Sequence, residues 1–195
     1  MAINCDGLDA DIINDCNDKS SAGLEVNVVI IKREDIDYAA STYDEATGTI
    51  TTLICKTGKT GYALQGINEV LGASSELVPK EDSFDKHKHL FSGVILYPSA
   101  INKRLANNLT DDLYVVTVEK LYKGLAMKDA FEVLGWDSGL VISTLVWNTK
   151  ESDGVIKFEL ASEDGYEEPE MTCNNLELGT YAATKTAFEE KYATV

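Results

Sequence analysis

Two histidines, His87 and His89, stand two residues apart in the run Lys86-His87-Lys88-His89-Leu90-Phe91. On a β-strand alternate residues share a face, and this spacing serves metal ligation or acid–base chemistry. A cation would need a third ligand from elsewhere, and Lys86 and Lys88 disfavour one. Catalysis would need a nucleophile or carboxylate held beside the imidazole, and no motif supplies it. The pair therefore reads first as a solvated basic strand edge, where charge blocks edge pairing. The segment Thr57-Gly58-Lys59-Thr60-Gly61 invites comparison with a phosphate-binding loop. Leu53 occupies the place of that loop's first glycine, and no helix follows to aim amides at a phosphate, so a hairpin turn is expected. Adjacent carboxylates (Asp111-Asp112, Glu163-Asp164, Glu167-Glu168) follow from a composition rich in them and carry little weight for glycosidase-type chemistry. Trp136, in Gly135-Trp136-Asp137-Ser138-Gly139, reads as a turn whose ring packs over a sheet end. Cys5, Cys16, Cys55 and Cys173 form no Cys-x-x-Cys pair, which predicts reduced thiols without a zinc site. No cofactor, metal or catalytic step is expected.

The elements that would carry these groups are mostly strands. Leu24–Lys32 and Thr49–Lys56 are rich in β-branched residues, and residues 86–97, 113–121, 140–148 and 155–161 follow suit. Asp153-Gly154 marks the turn between the last two. Gly58, Gly61 and Gly66 bracket a strand or turn expected over Thr60 to Gly66, with an irregular stretch to Pro79. Ser99 is placed to cap a helix whose Ile101, Leu105 and Leu109 would pack on a sheet. Met127–Leu134 reads as a short helix stopped at Gly135. A terminal helix is expected over residues 180–192, with Tyr181, Lys185, Phe188 and Tyr192 spaced along it. The fold class expected is α+β and mainly β, a sandwich or barrel of about six to seven strands with a flanking helix. Residues 1–22 read as an acidic arm and residues 23–195 as one domain, with a long loop over 34–48 and a C-terminal segment over 163–195. Tyr38 and Tyr43 in that loop are natural contact residues for a neighbouring chain.

Thirty-three acidic against seventeen basic side chains give a formal charge of −16 over 195 residues, yet 44% of residues are hydrophobic. The chain is thus a folded protein with a strong negative field, which disfavours gripping nucleic-acid phosphates. No basic n-region precedes an apolar run, and no apolar run is long enough to span a bilayer, so neither a secretory signal nor a membrane is expected. Charge is uneven: residues 80–104 hold five basic side chains, among them Lys86, Lys88, Lys103 and Arg104, and three acidic ones. Residues 151–170 hold eight acidic side chains, Glu167 and Glu168 included, and only Lys157. If copies stack, these two stretches could meet head to tail, with Asp44 and Glu45 of the long loop adding contacts.

The order and texture of the chain resemble a phage tail tube protein, or a related virion structural protein of gut-bacterial phages. The resemblance runs through the polar arm and the strand pair around a long loop (Leu24 to Lys56). It continues in the unit GVILYPSAINKRLANNL (93–109) and in the closing stretch FEVLGWDSGLVISTLVWNTKESDGVIKFELASEDGYEEPEM (131–171). It implies a sandwich with a flanking helix, six copies closing into a ring by strand pairing, and rings stacking through loop 34–48 and the arm. It further implies no catalysis, self-association and contact with other tail or connector proteins. Genome DNA would pass an acidic lumen without sticking, and the virion tail would be the location after synthesis in a bacterial cytoplasm. Other virion parts (connector, tail-completion or capsid-decorating protein), the inner tube of a contractile injection device, or more remotely a small acidic metal-dependent enzyme using His87 and His89, remain alternatives.

Overall fold

A computed structural model describes residues 11–12, 20–67, 70–150 and 154–194. The expected acidic arm falls almost wholly outside them, as does Asp153 of the expected turn. The fold is mainly β with two α-helices, as the sequence predicts. Among the described residues there are eleven strands, more than the six or seven expected.

Seven strands make the larger sheet: β1 (Leu24–Lys32), β2 (Thr42–Asp44), β3 (Thr49–Thr52), β4 (Tyr62–Gln65), β7 (Tyr114–Lys120), β8 (Phe131–Leu134) and β11 (Cys173–Asn175). Their order is β2-β3-β11-β8-β7-β1-β4. The smaller sheet holds β5 (Gly72–Val78), β6 (Lys86–Ile95), β10 (Ile156–Ala161) and β9 (Val141–Trp147), in the order β5-β6-β10-β9. Helices α1 (Ala100–Asn107) and α2 (Tyr181–Glu189) follow β6 and β11.

Alternation explains the layering. In β1, Val28 and Ile30 face one way and Val29 and Ile31 the other, and all four are buried. Such a strand must be covered on both faces. Val28 and Ile30 join Val116, Val118 and Leu134 against Phe91, Phe158 and Leu160 of the smaller sheet, forming the inter-sheet core. Val29 and Ile31 join Val115, Val133, Ile50 and Phe131 beneath Phe188 and Tyr192 of the C-terminal segment. The larger sheet is thus the middle layer, and no described residue joins a core on the outer face of the smaller sheet.

Several elements differ from expectation, each for a tertiary reason. Residues 131–134 form β8 instead of a helix, because Phe131 and Val133 complete the core under α2 while pairing with β7. Residues 72–78 are a regular strand instead of an irregular stretch, held by seven paired positions along β6. The span 34–48 is no open loop. Its start is a short 3-10 turn with Asp35 buried, Ile36 bridges Cys55, and β2 pairs with β3. Helix α1 begins at its Ser99 cap, whose hydroxyl accepts the Asn102 N–H at 3.1 Å. It packs through Ala106, however, leaving Ile101 and Leu105 66% and 51% exposed, so the expected apolar stripe does not cover a sheet; only Leu109 reaches the core. Helix α2 is present as expected and is capped by the Thr180 hydroxyl, but it stops at Glu189, and Tyr192 lies beyond it at φ 55° instead of on its face.

Candidate functional site

Where the two sheets meet at one end, the turn 135–139 gathers several chemistry-bearing residues. Gly135 opens it at φ 76°, a backbone that L side chains rarely adopt. Glu168 is 2% exposed, and its carboxylate accepts N–H groups from Asp137 and Ser138, each at 2.8 Å, and from Gly139 at 3.2 Å. Burial raises its pKa while those three amides pull it back down. The Tyr38 hydroxyl donates to the Trp136 carbonyl at 2.9 Å, with the two rings 4.9 Å apart. Arg33 donates to the Asp137 carbonyl and lies over the Tyr38 ring. Asp137, desolvated and facing the charges of Glu168 and Glu170, has its carboxyl pushed up to about 6. Tyr43 donates to Glu170, and burial together with that bond raises the phenol pKa.

The histidine pair belongs to this region, and the expectation of a solvated edge is corrected. Strand β6 lies inside its sheet, between β5 and β10. His89 is 2% exposed: Gly135 N–H donates to its Nδ1 at 3.1 Å, and its Nε2 lies 2.9 Å from the Glu170 carbonyl. An Nδ1 that accepts leaves the proton on Nε2, so the ring is neutral and both nitrogens are engaged with backbone. Burial lowers its pKa accordingly. His87 exchanges backbone bonds with Glu168, and its buried Nδ1 has no partner. Among the described residues, no group of three or more His, Cys, Asp or Glu is placed to hold a metal ion. What the cluster does chemically is orient backbone: it ties the turn, the first strand and the 162–170 crossing into one unit.

The charged stretches meet inside the chain. Lys80 pairs with Glu167 at 2.6 Å, holding that carboxyl down to about 2, and Lys88 pairs with Asp164 at 2.8 Å. The basic stretch is thus partly matched by the chain's own acidic segment. A second node joins α2 to β7: Glu119, 2% exposed, takes Lys123 at 2.5 Å, Lys185 at 2.6 Å and the Tyr181 hydroxyl at 2.8 Å. Asp44 turns inward on its own hairpin, accepting from Ala46 N–H at 3.1 Å and from the Thr47 hydroxyl at 2.8 Å, while Glu45 lies at the exposed tip. The Thr57–Gly61 segment is a turn with Gly58 at φ 77°, and Lys59 pairs with buried Asp35 at 2.8 Å. It links β3 to β4, which do not pair with each other, so it is not the expected hairpin. Gly61 is required there, since a Cβ would lie 2.6 Å from Val29. Cys55 and Cys173 are free, buried thiols pushed up by burial to about 11 and about 12.

The surface presents a different kind of site. Tyr97, just before α1, Ile101 and Leu105 on it, and Val146 and Trp147 at the end of β9 are 78%, 66%, 51%, 43% and 50% exposed. Lys103 lies 3.6 Å above the Trp147 ring. Neither Lys103 nor Arg104 has an acidic partner within 4.0 Å among the described residues. The helix's periodic apolar residues are visible in sequence; that they point outward depends on the Ala106 contact, which periodicity does not reveal. Comparison with protein-family models, with curated proteins and with solved structures finds no match for this chain.

Proposed function

We propose that this chain is a structural subunit of a virion, most specifically of a phage tail tube, that works by self-association and carries no catalytic step. The observation that supports this best is the smaller sheet: among the described residues, both its edges, β5 and β9, lack strand partners and its outer face is uncovered. All three pairings in it are antiparallel, so β5 and β9 run in opposite directions. A copy rotated about an axis can lay its β5 beside the first copy's β9 with the alternation unbroken. Repetition of that contact closes a ring, and open edges that are not used this way invite unregulated pairing.

In such a ring the free face lines the lumen. Its rows follow from the register: Thr144, Glu159, Ser92 and Gly72 across one level, Val141, Ala161, Leu90 and Ser74 across another. Lys86, Lys88 and Lys157 share this face with Glu76 and Glu159, so it mixes polar, apolar and charged side chains and is nearly balanced in charge. The acidic wall drawn from composition gives way to a mixed one, in a chain of net charge −16. Passing DNA would meet no concentrated cationic track and hence little counterion-release binding. The partners on this reading are other copies, adjoining tail or connector proteins and transient genome DNA, in the virion tail.

The test is negative-stain microscopy of the purified full chain over a range of concentrations. Rings or stacked tubes are expected; a chain that stays monomeric throughout overturns the reading.

A further inference from the structure

We propose that β9 of one copy pairs with β5 of the next in a single register, with Ala73 opposite Trp147, Glu76 opposite Thr144 and Ser143 bulged out between them and Ile142. The inference rests on the self-association read above and adds the register of the contact and the side chains that set it.

Four observations converge. The first is backbone bonding. Opposed residues of antiparallel strands alternate between exchanging backbone bonds and exchanging none, so a residue that bonds one neighbouring strand turns nothing to the other. The row Thr144, Glu159, Ser92 and Gly72 crosses three antiparallel pairings. If Thr144 bonds Glu159, then Glu159 does not bond Ser92, and Ser92 bonds Gly72; the other assignment inverts all three. Either way Thr144 and Gly72 present the same bonding state to their open edges, and an antiparallel junction of β9 with β5 continues the pattern unbroken.

The second is that β9 carries none of the usual guards of an edge. Its sequence VISTLVW has no charge and no proline, and β5 has Glu76 alone, which lies opposite its own Lys88. The third is the bulge. The pairing of β9 with β10 skips Ser143, so Val141, Thr144 and Val146 share the outer face and Ile142, Leu145 and Trp147 the inner one. On β5 the outer residues are Gly72, Ser74, Glu76 and Val78, and the inner ones Ala73, Ser75 and Leu77. Like faces meet only in registers two residues apart. The proposed one opposes six pairs within the two strands, against five or four for a shift either way.

The fourth is size. Small Ala73 and Ser75 come opposite large Trp147 and Leu145, and Leu77 comes opposite Ile142. Leu77 and Trp147 are 51% and 50% exposed in the single chain, while Ala73, Ile142 and Leu145 already pack on the inter-sheet core. Pairing carries that core across the junction and covers Leu77. A second copy is the occupant because the two edges that match in length, bonding and size both belong to this chain. Pairing β9 with another β9 would set large residues on large ones and leave Leu77 uncovered.

The experiment is disulfide trapping in a background with Cys5 and Cys16 replaced by Ser, with sedimentation as a second readout. Ser74→Cys protein mixed with Val146→Cys protein is expected to form a linked pair under mild oxidation, and the variant bearing both substitutions a ladder of linked oligomers. Leu77→Asp is expected to raise the concentration needed for assembly by about tenfold or more with an unchanged circular dichroism spectrum, since Leu77 is exposed in the single chain. Stronger trapping of Ser74→Cys with Thr144→Cys than with Val146→Cys would overturn the register. A linked dimer of Val146→Cys protein alone would overturn the head-to-tail order in favour of a two-fold contact. If wild type assembles, yet no pair is trapped and Leu77→Asp assembles equally well, the junction is overturned while the virion-subunit reading stands. Wild type that never assembles defeats both.

Discussion

Replacing Glu168 by Gln removes one oxygen from the anchor of the turn 135–139. In the native chain Oε1 accepts from Ser138 and Gly139, and Oε2 accepts from Asp137, all with the carboxylate 2% exposed. A Gln carbonyl can keep the first two bonds, weakened because the acceptor is no longer charged. Its NH2 group then faces the Asp137 N–H, donor against donor, leaving a buried amide unpaired at a cost of about 1–3 kcal/mol. The loss of charge assistance adds roughly 1 kcal/mol, and relief of the carboxylate's desolvation returns a similar amount. The net expectation is a destabilisation of about 2 kcal/mol. Glu168→Leu, which offers no acceptor to any of the three amides, should cost about 4 kcal/mol. Urea unfolding at pH 7 reads this directly: with a slope of about 2 kcal/mol per molar, the midpoint should fall by about 1 M for Gln and about 2 M for Leu. A midpoint for Glu168→Gln within about 0.2 M of wild type, with an unchanged slope, would refute the view that this carboxylate holds the turn.

Other outcomes follow from the same framework. Asp137 titrates near 6 in the folded chain against 3.8 unfolded, so the folded state binds the extra proton between those values. Its contribution is fully present below pH 3.8 and is lost as pH rises through about 6; Asp137→Asn should flatten the stability profile across that window, by about 1 kcal/mol after screening at this partly buried site. An unaltered profile in the variant would place the titration elsewhere. Glu119→Gln should loosen α2, because Lys123, Lys185 and Tyr181 all converge on that carboxylate. Hydrogen exchange confined to residues 181–189 should quicken by about tenfold, and uniform exchange across the chain would count against a local tie. Replacing 34–48 with a short Gly-Ser turn should unfold the chain, not merely block assembly, since it removes Asp35, Ile36 and β2 together; a wild-type urea midpoint would contradict this.

What the amino-acid sequence determined by itself was the class and the strongest strands. Leu24–Lys32, Lys86–Ile95, Tyr114–Lys120 and Ile156–Ala161 are legible because dense β-branched and aromatic residues suit an extended backbone whatever surrounds them. Ser99 announces its helix through local capping chemistry. Tertiary structure decided the rest. Gly72–Val78 has weak strand propensity and exists through its pairing with β6, while Phe131–Leu134 has helical spacing that the core under α2 overrides. His89 looks in sequence like a surface or ligand histidine and is instead a neutral core acceptor, because Gly135 and Glu170 from distant segments bracket its ring. Likewise the basic and acidic stretches, which in sequence suggest two faces for two copies, partly satisfy each other across 76 residues at Lys88–Asp164 and 87 at Lys80–Glu167. The exposed apolar residues of α1 and β9 and the open edges of the smaller sheet are properties of that packing, since only the finished fold determines which apolar residues find no cover.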